Sequence, residues 1–156
     1  MKRFAVYLLV LGRVLISVVF ILNALGIIDQ SIPAHEMVER GAPPSLVPAM
    51  MLAGRAVELL AGLGLIWGVF PRLAALALFA FLVPATLISH SFWLSAGTPA
   101  CMGQLINFSK NVAIWGGLLF IAGAVASLRS SLKARMPEPD EDEGREKHGI
   151  QNCRFA

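Results

Sequence analysis

Three ionisable residues stand inside long apolar stretches of this sequence: Arg13, Arg55 and Glu58. A charge at the centre of a bilayer costs on the order of 2.5–3.5 kcal/mol on insertion scales. Residues kept at that cost either tie helices together or handle protons, ions and ligands. Arg55 precedes Glu58 by three residues, so in a helix the two share a face. Counting depth at 1.5 Å per residue puts Arg13 about 12 Å and Glu58 about 16 Å from the same membrane face. The expectation is a buried ionic cluster of Arg13, Arg55 and Glu58. A second group, Asn23, His90, Lys110 and Asn111, falls at a common depth toward the other face and forms a candidate ligand-binding polar layer. Each group has a structural alternative. Arg13 and Glu58 would serve equally to pin two helices in register, His90 would equally meet water or a carbonyl, and Lys110 would equally snorkel to the interface.

The elements that must position these residues are legible in the hydropathy. The chain has 156 residues and is 56% hydrophobic and 15% charged. Soluble domains run about 45–50% apolar and about 25% charged. In water, this composition would expose large apolar patches. Four apolar stretches reach the roughly 20 residues needed to cross a bilayer: about 4–28, 46–70, 72–94 and 108–128. Each is too long for a strand and apolar all round, which marks a helix in lipid. Pro84 lies inside the third and is expected to kink it rather than end it. The fold class is therefore all-α, an integral membrane four-helix bundle over residues 1–136.

Residues 137–156 carry six acids and three bases, a net charge of −3. The rest of the chain carries ten bases and four acids, a net of +6. This tail is polar, without a hydrophobic period, and is expected to be disordered. The basic excess belongs to the membrane part. Lys2 and Arg3, then Arg72, then Arg129, Lys133 and Arg135 fall on one side of the spans. Arg40 alone falls on the other. By the positive-inside rule both termini are cytoplasmic, in a multi-pass protein of a plasma (bacterial inner) membrane. The first span is too long for a cleaved signal sequence, is interrupted by Arg13, and has no small-residue cleavage site. No basic run with interleaved aromatics points to nucleic acid. Cys101 and Cys153 fall in no metal-binding spacing and on opposite membrane faces, so neither a metal site nor a disulfide is expected. Gly64 with Gly68, Ala113 with Gly117, and Ala122 with Ala126 form small-residue steps where helices can approach closely. Trp67, Trp93 and Trp115 read as belt or packing residues.

Several short patterns occur in order. Gly12-Arg13 is followed by Leu15, Ser17 and Phe20, and Gly41-Ala42-Pro43 precedes the second span. Glu58, Gly62, Leu65, Gly68 and Arg72 follow at spacings of four, three, three and four. His90 and Trp93 come late in the third span. Phe108, Lys110-Asn111 and Gly116-Gly117-Leu118-Leu119 mark the fourth. Together these resemble the DoxX family of small four-helix membrane proteins, from about residue 12 to 120. The sequence departs from the family pattern at Asn23-Ala24, where a serine-glycine pair is usual, and at Ile28, near the place of a family lysine.

The resemblance implies a membrane subunit of a redox complex, quinone- or thiol-linked. The chain has no haem-ligand pair, flavin motif or vicinal thiols, so the redox cofactor is expected on a partner protein. A quinone is the small ligand this reading would add. Its head group needs donors, which His90, Lys110 and Asn111 offer, and Glu58 would hold a proton. The alternative function is a non-enzymatic scaffold or assembly chaperone, which more distant relatives suggest. A transporter is a weaker third option. The expected partners are the bilayer and a redox protein, with a homo-oligomer left open.

Overall fold

The computed structural model describes residues 2–29 and 31–133. Five helices and one short 3-10 segment make up these residues: α1 Lys2–Ala24, α2 Ser31–Glu39, α3 Val47–Trp67, α4 Pro71–Ser89, the 3-10 segment Phe92–Ser95, and α5 Ala100–Lys133. The described residues include no strand. The expected tail at 137–156, with Cys153, lies outside them.

Four helices are long and apolar enough to cross a membrane: Val6–Ala24, Val47–Trp67, Pro71–Ser95 and Ala100–Ser127. Large apolar side chains such as Leu52, Leu60, Leu73 and Phe120 are exposed along them. That pattern is required of a bundle solvated by lipid, where burial supplies no hydrophobic force between helices.

Residues 1–125 form one compact unit, and residues 126–156 a second, of which the described part is the last two turns of α5. Within the first unit the core is Phe20 of α1, Leu65 of α3, Ala75, Leu78 and Leu82 of α4, and Leu118, Ile121 and Ala122 of α5. Small residues set the approach. A Cβ on Gly62 would stand 3.0 Å from Ile21 Cδ1, and one on Gly54 would stand 2.9 Å from Phe81 Cε2. One on Gly117 would stand 2.8 Å from Ile16 Cδ1, so α1 and α5 meet at the glycine of the expected small-residue step.

Three boundaries differ from the sequence reading. The 29–45 connection contains α2, which begins where Asp29 Oδ1 accepts the Ser31 N–H at 2.9 Å. The fourth span starts at Ala100 rather than near 108, directly after Pro99. The third helix ends at Ser89, and the chain turns through the 3-10 segment before α5.

Candidate functional site

α1 and α3 lie antiparallel, and their seam carries all three intramembrane charges. Glu58 is 3% exposed. The Asn23 side-chain amide donates to both of its oxygens, at 2.7 and 2.8 Å. One turn earlier on α3, the half-buried Arg55 lies within Coulombic reach of Glu58, and its guanidinium lies against Gly26 in the turn that ends α1. Gly26 holds φ +72°, a left-handed conformation that costs a residue with a Cβ about 1–2 kcal/mol.

The same arrangement recurs, reversed, at the far end of the seam. Arg13 of α1 places its guanidinium against Gly68, where a Cβ would stand 3.1 Å from Arg13 Nη1. Gly68 caps α3 at φ +74°, and the Val69 N–H closes the helix end on the Gly64 carbonyl. Each helix thus sends an arginine to the C-terminal turn of the other. The carbonyl end of a helix carries the negative pole of its macrodipole, so each buried cation meets a favourable field there.

The expected cluster of Arg13, Arg55 and Glu58 therefore divides. Arg55 and Glu58 lie together, whereas Arg13 sits at the α3–α4 turn and makes no ion pair with Glu58. Asn23, assigned to the outer layer, is Glu58's partner instead. The depth count assumed that all helices start in one plane, but Arg13 is level with Gly68, ten residues beyond Glu58.

The other members of the outer layer gather at the seam between α4 and α5. His90 Nδ1 and Gln104 Oε1 are 3.0 Å apart. The Asn111 amide donates to Thr86 Oγ1 at 3.0 Å, and the Thr86 hydroxyl donates to the Leu82 carbonyl at 2.7 Å. Lys110 is exposed, with no hydrogen bond among the described residues. Edge-to-face rings line the same seam. Phe108 contacts Phe92, Trp93 and Trp115, and Trp115 contacts Phe79 at a centroid distance of 6.4 Å.

Sequence reasoning missed two members of this seam. Gln104 was placed in a loop, and Trp115 was read as packing alone. The available signal was spacing: Gln104, Phe108, Asn111 and Trp115 recur at four, three and four residues, a single helical face. Three buried nitrogens have no hydrogen-bond partner among the described residues: Arg13 Nε, Arg55 Nε and Trp115 Nε1. Cys101 Sγ lies 3.6 Å from the Phe92 carbonyl.

A sequence profile of the DoxX family matches residues 8–91, more than half of the chain. The chain belongs to the DoxX family. The match takes in Arg13, Asn23, Arg55, Glu58 and His90, whereas Gln104, Lys110, Asn111 and Trp115 lie beyond it. No curated protein and no solved structure matches the chain. As a DoxX member with four apolar helices, it is a multi-pass membrane protein.

Proposed function

We propose that this chain is the membrane subunit of a redox complex, quinone- or thiol-linked, whose redox centre is held by a partner protein. The observation that carries this reading is the Glu58–Asn23 pair, a buried carboxylate held through both oxygens in a membrane span of a DoxX protein. Quinone reduction takes up protons and thiol oxidation releases them. A subunit serving either reaction needs a group that holds a proton away from bulk water, and Glu58 has that capacity.

The α4–α5 seam suits a quinone head group. Trp115 Nε1 is a buried donor without a partner among the described residues. It lies between Phe79 and Phe108, on the same face as Asn111 and below His90. Trp115, Asn111 and His90 would hold the head group's carbonyl oxygens. The bound quinone would supply a carrier of two electrons and two protons. Lys110, exposed at the edge of this seam, would contact the approaching head group or a lipid phosphate.

The test is quinone content. Purified wild-type protein, Trp115→Phe and His90→Ala are extracted with solvent, and quinone per polypeptide is measured by mass spectrometry. The reading expects both variants to lose most of the bound quinone at unchanged protein yield. Equal quinone in all three would contradict the assignment of this seam.

A scaffold or assembly chaperone is the second reading. It is favoured by the exposed face of α5, where Gly116 and Gly123, one heptad apart, have open space beyond them that suits a close-packed partner helix. On that reading Glu58→Gln chiefly lowers protein level. On the redox reading it lowers complex activity at normal level.

A further inference from the structure

The α1–α3 register is fixed at four points: Arg13 against Gly68, Phe20 and Ile21 against Gly62, Asn23 against Glu58, and Gly26 against Arg55. Each step along α1 is matched by an equal step back along α3. Ala24, the last residue of α1, is therefore level with Val57. From Val57 back to Val47, α3 continues for about 15 Å on the helical rise. That is half the thickness of a roughly 30 Å hydrocarbon core. α1 lines only one half of α3.

The other half is not sheathed by an apolar helix. It packs on α4, as Gly54 against Phe81 shows, and on the short α2. α2 and its flanks are polar, with Asp29, Ser31, His35, Glu36, Glu39 and Arg40. Arg40 pairs with Glu36 at 3.0 Å and donates to the Leu87 carbonyl of α4 at 3.3 Å, fixing α2 across this end of the bundle.

Arg55 stands where the apolar sheath stops. It makes no hydrogen bond or ion pair within 4 Å among the described residues, and its Nε is buried without a partner. A guanidinium has five N–H donors, and each needs an acceptor. In lipid none is available, whereas water supplies them. Irregular backbone at membrane depth, such as the turn after α1, is tolerated where it is buried in protein or lines water.

We propose that the gap beyond the end of α1 is a water-filled inlet, open at the α2 end, through which protons reach and leave the Glu58 carboxyl. Asn23 and Glu58 form its inner end. Arg55 stands on its wall as a fixed positive charge that repels metal cations, while protons pass along hydrogen-bonded water. This inference rests on reading Glu58 as the proton-holding group of the subunit.

The test is directional thiol labelling of full-length protein in membrane vesicles of known sidedness. Single cysteines replace Glu58, Asn23, Leu65 or Ser31 in a background with Cys101→Ser and Cys153→Ser. The probe is the membrane-impermeant cationic thiosulfonate MTSET, which needs water and a thiolate. Glu58→Cys and Asn23→Cys are expected to react only from the side that modifies the exposed Ser31→Cys. Leu65→Cys, buried beyond the inlet, is expected to react from neither side. Adding Arg55→Gln should raise the MTSET rate at position 58 on the order of tenfold without raising that of a neutral thiosulfonate. Asn23→Cys retains Glu58, so it decides the matter if Glu58→Cys does not fold. Protection of both positions from both sides, or reaction from the opposite side, would overturn the inlet. Labelling requires no partner and no quinone. An open inlet in a protein that carries neither would leave the inlet standing and remove the redox reading.

Discussion

The seam between α1 and α3 and the seam between α4 and α5 solve the same problem with different chemistry. The first holds charges: Glu58 on the Asn23 amide, with Arg13 and Arg55 at opposite helix ends. The second holds neutral groups, with Thr86 on Asn111, His90 on Gln104, and aromatic rings between. A neutral hydrogen bond between membrane helices is worth about 0.6 kcal/mol, because the separated helices also find partners. An unpartnered buried charge costs several times more. The charged seam therefore fixes the register of α1, whereas the neutral seam can loosen and re-form, as a ligand site must.

That contrast can be broken at specific residues. The largest effect is expected from Asn23→Leu, which leaves the buried carboxylate without its donor. It should lower stability by about 3 kcal/mol, read from denaturant unfolding in micelles. A loss below that of the neutral-seam variants would erase the distinction. Next comes Gly68→Ala, which places a Cβ at positive φ and 3.1 Å from Arg13 Nη1. It should cost about 1–2 kcal/mol, part of which Arg13→Ala should restore if the guanidinium contact contributes. Asn111→Leu should cost only about 0.6 kcal/mol, since the Thr86 hydroxyl keeps its bond to the Leu82 carbonyl. Lys110→Ala should fall within about 0.5 kcal/mol of wild type by the same assay, as substitutions outside packed or paired sites do.

The sequence was informative where a single residue type carried the cost. Four spans, and a carboxylate that must be buried, follow from hydropathy and from Glu58 standing among leucines and alanines. It was less informative about which residues meet. Depth along one helix is reliable at 1.5 Å per residue, but comparing two helices needs a common origin. α1 is offset from α3 by about half a span, so Arg13 meets Gly68, and Asn23 takes the expected place of Arg13 beside Glu58. The short α2 was missed because its composition is that of a loop, although Asp29 and Ser31 supply a helix-start signal. α5 was started late because Gly103, Gln104 and Asn107 read as polar loop, while Pro99, which favours a helix start, went unused.

The central claim is that this DoxX chain serves a redox partner from within the membrane. Native co-purification tests it most directly: the tagged protein is extracted in mild detergent, and associated proteins and quinones are identified by mass spectrometry. The account predicts a stoichiometric oxidoreductase or retained quinone, and a lower complex activity at unchanged assembly for Glu58→Gln. A varied set of unrelated membrane proteins, with no quinone and no oxidoreductase, would contradict it and favour the scaffold.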